Sequence, residues 1–467
     1  MTYRPFPADQ GPDTEPGTTT AGTDANGTPA GRPTQPQAPA YAAVRPLDGH
    51  VLPPGTRPTA DDFPALDEPA VIWEDARWWR FTERTDLHEV RYLSVDEGGR
   101  TVALAPLLLT REAGGLLFYD PPRLIGTAGS MAEPDILDPA DQERWSELGT
   151  ALPLARPDQY PSLTLGVFGS HHGVAHATDR SPAQRAAVMA ALPGLLRRAA
   201  AELGCRSSAL LYVGEPDAAA VDSAARRSGY QAVLLGAEGV QHLPETDWDG
   251  YLAGLGSHRR RRICKEVDGY RQAGWRTVAR SGPDALDDEV VALQVAHRAK
   301  YGLPGGEDRV RRDFDAVSAD LGDSCLVLGS EREGRLGGFV LYFRAGDALF
   351  ARTAGFSPEA KGCYLALTYH ETVRWALDHG IRRIHYGLSA YQAKFARGCE
   401  LQPRWGWFAF EGPHAGVYRD AADLQSRSIE RRLASVGAPV VPLASLSSRR
   451  STTPPSVTPS QGAEKCS

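Results

Sequence analysis

The spacing of apolar positions changes period along this chain in a repeated order. Ser181 and Pro182 open a helix, as N-cap and first helical residue, that runs to about Leu203 and stops at Gly204. The apolar run CRSSALLYV then predicts a strand, DAAAVDSAARRSGY a helix closing at Gly229, and YQAVLLGAEGVQHL a long bent strand or strand pair. The same order returns later. Strand-like runs at Leu349–Gly355 and Ile381–Leu388 flank a helix from about Tyr364 to His379, striped by Leu365, Tyr369, Val373 and Ala376 and stopped at Gly380. A short helix, AYQAKFARG, and a strand, RWGWFAF, follow. Set side by side, LPGLLRRAAAELGCRSSALLYVG and ETVRWALDHGIRRIHYGLS each read as a helix ending in Gly and a basic strand ending near a Tyr, which predicts an internal repeat of one α/β unit.

The remaining pattern fills in around these copies. PAVIWEDARWWRFTE predicts a short helix with an aromatic face, and HEVRYLSV, TVALAPLLLT and GLLFYDPP read as strands. Asp247 caps a helical stretch broken near Gly254 to Gly256 and ending at Gly274. From Trp275 the order is strand, two helices, then three strands joined by turns at Glu333-Gly334 and Gly346-Asp347. Residues 1–58 are rich in Pro, Gly, Thr and Ala and predict a disordered tail; 59–246 predict a first, degenerate unit, 247–420 a second unit holding the active site, and 421–467 a helix remnant and flexible tail.

Composition narrows the function classes. A net charge of −7 over 467 residues excludes a surface built as a whole for polyanions, so nucleic-acid contact requires a local basic patch. The run Arg259, Arg260, Arg261, Arg262 and Lys265 is that patch, although four consecutive arginines wrap a helix and do not share one face. The six cysteines are scattered without zinc spacing, which predicts free thiols and no metal; the His171-His172 pair lacks further ligands at metal spacing. The N-terminus lacks a secretory pattern and no apolar stretch is long enough to span a bilayer, so the expectation is a cytoplasmic protein.

The element order from Trp275 onward resembles the GNAT acyltransferase fold. The phrases SHRRRRICKEVDGYRQAGW and YHETVRWALDHGIRRIHYGLSAYQAKFARG resemble the double-GNAT, FemAB-like proteins, which include aminoacyl-tRNA-dependent peptidyltransferases of antibiotic pathways. The resemblance covers roughly Phe63 to Gly412 and is stronger in the second unit. It implies an α/β (α+β) fold of two tandem GNAT-like units, each a mixed, mostly antiparallel sheet flanked by helices. It also implies an acyltransferase with no bound cofactor, taking an aminoacyl group from charged tRNA to a small amine, hydroxylamine or peptide acceptor in specialised metabolism.

Where an acetyl-CoA-using GNAT carries a glycine-rich phosphate loop, this chain has FSPEAKGCYLA. Gly362 matches one glycine, but Tyr364 stands at the last small position, where a ring would crowd a pyrophosphate. This departure favours aminoacyl-tRNA over acetyl-CoA. Candidate chemistry lies on the same unit. His385, on the strand after the central helix, is a candidate proton acceptor. Tyr364 and Arg352 are candidates for holding donor or substrate, as are Tyr391, Lys394 and Arg397, spaced i, i+3, i+6 on one helix face. His370 and Cys363 read as structural. The alternatives are an acetyl-CoA-dependent N-acyltransferase of the same fold, or a non-catalytic module binding RNA or a peptidoglycan precursor.

Overall fold

The computed structural model describes residues 46–446, except 68, 70, 86, 127–132, 301–305 and 361. The first half contributes β1 (Leu47–Val51), β2 (Glu89–Glu97), β3 (Arg100–Thr110), β4 (Ser162–Leu165), β5 (Ala175–His176), β6 (Ser207–Val213) and β7 (Gln231–His242). The second contributes β8 (Arg276–Ser281), β9 (Cys325–Arg332), β10 (Arg335–Ala345), β11 (Ala348–Phe356), β12 (Arg383–His385) and β13 (Glu400–Phe410). All lie in one sheet, ordered β1-β2-β3-β4-β6-β13-β7-β12-β11-β10-β9-β8, with β5 beside β3.

That order shows how the two units are joined. In each, a strand (β4 or β11) leads through a helix to a parallel neighbour (β6 or β12), then through a second helix to a final strand (β7 or β13). The final strands have exchanged places. β13 lies between β6 and β7, and β7 lies between β12 and β13, the two pairing antiparallel from Gln231 to Val240. Each unit therefore completes its sheet with the other's last strand. The sheet is mixed and mostly antiparallel with helices on its faces, as expected of two tandem units.

Local signals explain the helix ends. Ser181 and Gln184 form a reciprocal capping box at helix Pro182–Glu202, and Gly204 turns away at φ +67°. Asp247 caps helix Trp248–Ala253, and a separate basic helix, Ser257–Gln272, follows the Gly254–Gly256 break. The helix after β11 is α-helical at Cys363–Leu365, π-helical at Ala366–Glu371 and α-helical again at Thr372–Asp378. Across the wider π turns the Tyr342 hydroxyl donates to the Thr368 carbonyl, and the Thr372 hydroxyl joins its own N–H on the Leu367 carbonyl.

Three expectations change. Leu47–Val51, inside the stretch read as disordered, forms β1 against β2, while residues 1–45 lie outside the described residues. Helix Ala415–Ser435 and the short helix Leu443–Leu446 pack on the sheet, beyond which the chain lies outside the described residues. GLLFYDPP is not a strand: Leu117–Tyr119 and Pro121–Leu124 are helical turns, because consecutive prolines remove two ladder donors.

A candidate acyl-transfer site where β11 and β12 part

β11 and β12 pair in parallel over only three residues, ending at Phe350 and His385. Beyond that point β11 continues to Phe356, whereas the chain after His385 turns onto β7 through Tyr386 N–H to Gly239 O and Gly239 N–H to Gly387 O. His385 is thus the last residue before the strands splay. Its ring stacks on Phe350, with centroids 4.6 Å apart and planes at 16°. The side chain is mostly buried.

Glu238 of β7 orients this ring. Its Oε1 lies 3.2 Å from His385 Nδ1, and its Oε2 accepts a hydrogen bond from Arg404 Nη2 of β13. Burial alone would raise the Glu238 carboxyl, but Arg404 and the His385 contact outweigh it and hold the pKa at about 2. An ionised carboxylate only accepts, so Nδ1 carries the proton and the neutral ring presents Nε2 as a bare acceptor. No described residue bonds to Nε2. The triad exists only because of the strand exchange: Glu238 belongs to the first unit, His385 and Arg404 to the second.

The corresponding splay in the first unit is filled. β4 and β6 part after Leu165 and Leu210, and the loop Gly166–Val174 occupies the gap. Tyr119 Oη accepts N–H bonds from Gly169 and Ser170 at 2.7 and 2.8 Å, and the Trp73 ring lies 2.6 Å from where a Gly169 side chain would begin. Gly169 has φ +124°, so glycine is required twice over. His171 and His172, in this loop, each accept at Nδ1 from the main chain two residues on. Among the described residues no group of three His, Cys, Asp or Glu side chains could hold a metal.

Of the other sequence candidates, Arg352 lies on β11 just past the splay, at a bulge: Ala351 pairs with Tyr342 and Thr353 with Leu341, so Arg352 is the extra residue. It makes no hydrogen bond or ion pair among the described residues. The face Tyr391, Lys394, Arg397 points inward, because the six-residue helix here packs against the neighbouring strands β13 and β7. Lys394, reduced to 4 % exposure, donates to the carbonyls of Tyr386, Gly387 and Leu388 at 2.9, 2.7 and 2.9 Å. All three N–H groups are used, so Lys394 holds the turn after β12 rather than a phosphate. That turn needs holding: Gly387, Ser389 and Ala390 all have positive φ. Burial presses the ammonium down to about 8. Tyr391 accepts the Ala237 N–H, and Arg397 donates to both oxygens of Glu266, which also meets His370 at 2.5 Å. This buried cluster ties the basic helix to the π-helical segment and the short helix, so these residues brace the site without facing a ligand.

Tyr364 also sits differently from expectation. Its ring packs edge-on against Phe356 and Tyr369, at 5.5 and 6.3 Å, and is half-buried. A side chain at Gly362 would meet nothing within 4 Å. In the basic run Arg262 donates to the Ala396 carbonyl and Arg259 is half-buried beside Gly398; Arg260, Arg261 and Lys265 are exposed and have no carboxylate partner among the described residues. Sequence reasoning missed Glu238 and Arg404. The available signal was a lone glutamate within the apolar run VLLGAEGV, since a charge buried in a sheet requires a partner.

Comparisons place these features in a family. Residues 151–419, more than half of the chain, match the model of the FemAB-like family, described as peptidoglycan biosynthesis/recognition. A comparison with curated proteins found no match. Solved structures similar to this chain include FemX, at 10 % identity, covering 76 % of this chain and 97 % of that one with a TM-score of 0.49. A tandem GNAT protein from the clavulanic acid pathway follows at 14 % identity, 79 % and 99 % coverage and 0.43, and L-PGS from Bacillus licheniformis at 14 %, 57 % and 83 %, and 0.38. Scores below 0.5 carry no functional weight. No described helix is long and apolar enough to cross a membrane. The family match spans the first unit from residue 151, including β4, β6 and β7, and the second unit through β13, and the chain belongs to the FemAB-like family of acyltransferases.

Proposed function

We propose that this protein moves an aminoacyl group from aminoacyl-tRNA to the amine of a small or peptide acceptor, with His385 as general base. The observation that carries this reading is the His385–Glu238 pair at the splay, with Nε2 unpartnered. The acceptor nitrogen attacks the ester carbonyl, the new C–N bond forms as the ester C–O bond breaks, and the nitrogen's proton passes to Nε2 and then to the departing ribose oxygen. An aminoacyl ester is already activated, so positioning supplies much of the rate.

Exposed Arg260, Arg261 and Lys265, on the basic helix braced against the site, support contact with the phosphates of the tRNA. The family description supports an acceptor related to peptidoglycan, and the resemblance to antibiotic-pathway enzymes supports a peptide or specialised-metabolite acceptor. Location in the cytoplasm accords with a charged-tRNA donor.

The inward packing of Tyr364 and the open space at Gly362 favour a second reading, in which acetyl-CoA is the donor. One experiment separates them. Purified protein is incubated with candidate acceptors and either charged tRNA, with and without RNase, or acetyl-CoA. Product that RNase abolishes supports the tRNA donor; RNase-insensitive product from acetyl-CoA alone overturns it. Tight, salt-sensitive tRNA binding without turnover from any donor would favour a non-catalytic binding module.

A further inference from the structure

Arg352 combines two properties that rarely coincide. More than a third of its surface is exposed, yet enough protein surrounds it that desolvation lowers the guanidinium from its ordinary value. The charges within reach do not neutralise it. Asp313 is already bonded to Arg309 at 2.8 Å, and the Tyr119 phenol, which burial keeps protonated, accepts main-chain N–H bonds from the first unit. Glu238 and Arg404 cancel each other nearby. One uncompensated positive charge remains, on a bulge two residues past Phe350, whose ring carries His385. The Cα atoms of residues i and i+2 of a strand lie about 6–7 Å apart, so Arg352 leaves the strand close to the ring on which His385 stacks.

We propose that Arg352 anchors a carboxylate of the acceptor, so that the acceptor class is amines that also bear a carboxylate. This rests on acyl transfer at His385. A guanidinium matches a carboxylate as a planar two-bonded pair with zero net charge.

Two measurements test this, one independent of turnover. The first is modification of Arg352 by phenylglyoxal, followed by peptide mass spectrometry, in the presence of glycylglycine, glycylglycine amide or inorganic phosphate. Expected is at least fivefold slower labelling with glycylglycine than with the amide, and no protection by phosphate. Equal labelling with both peptides, or protection by phosphate alone, overturns the carboxylate assignment. The second compares acceptors as free acids and as carboxamides, in wild type and Arg352→Met. The account expects a preference for the acid on the order of 10²-fold in kcat/KM, mostly in KM, that falls to about one in the variant. A preference that survives Arg352→Met overturns the proposal. Absence of transfer to every acceptor, with carboxylate protection intact, counts against acyl transfer and leaves the anion site standing.

Discussion

Glu238→Gln is the most informative single change, because its consequences for folding and for chemistry can be separated. In the wild type, one carboxylate oxygen meets His385 Nδ1 at 3.2 Å and the other accepts from Arg404. Glutamine has one acceptor and one donor end. Arg404 only donates, so it claims the carbonyl oxygen and turns the amide NH2 toward Nδ1. That nitrogen must then accept, which moves the imidazole proton to Nε2 and removes the base. A wrongly fixed histidine tautomer costs on the order of 10²–10⁴ in kcat. The folding cost arises from Arg404, which is 8 % exposed and loses its counter-charge; removing one partner of a buried pair costs about 3–5 kcal/mol. The depression of Glu238 from 4.5 to about 2 corresponds to ~3 kcal/mol, consistent in size. The sign follows from a lowered folded-state pKa: this stabilisation is complete above about pH 4.5 and is lost as pH falls toward 2. Denaturant titrations between pH 2 and 7 should therefore show an acid limb in the wild type that is flatter in the variant. Adding Arg404→Met should restore most of the stability and none of the rate. A folded Glu238→Gln protein that transfers acyl groups at the wild-type rate near pH 7 would refute the reasoning.

Further expectations concern neighbouring supports. Lys394→Met removes the donor that the Tyr386 and Leu388 carbonyls share around a left-handed turn, while Gly387 O keeps the Gly239 N–H, and should destabilise by about 2–3 kcal/mol, read by denaturant midpoint; an unchanged midpoint would show that water replaces the ammonium. Gly169→Ala places a methyl 2.6 Å from the Trp73 ring at φ +124° and should lower the melting temperature through a cost of about 2–4 kcal/mol. Charge reversal of Arg260, Arg261 and Lys265 together should weaken tRNA binding and reduce its salt slope by about 2 on a log–log plot, with the melt unaltered.

Much of this architecture was legible where the determinants are local. Ser181, Pro182 and Gly204 mark a helix because capping groups act within four residues, and the break at Gly254–Gly256 is a backbone effect. His385 was identifiable as a strand histidine following the central helix. Its partner was not, because Glu238 lies 147 positions earlier and meets it only through the exchange of β7 and β13, which periodicity does not encode. Lys394 and Arg397 show the converse. Their spacing correctly placed them on one face, but which way a six-residue helix turns that face depends on the strands beneath it. Burial made structural cations of residues that composition offered as phosphate ligands. Tyr364 was read as a plug because its position was legible and its rotamer was not.

The central claim is tested most directly by single-turnover transfer from labelled aminoacyl-tRNA to a carboxylate-bearing amine, comparing wild type with His385→Gln. The account predicts RNase-sensitive product in the wild type and a loss on the order of 10²–10⁴ in rate in the variant, with tRNA affinity and thermal unfolding unchanged. Transfer by His385→Gln at the wild-type rate would contradict it.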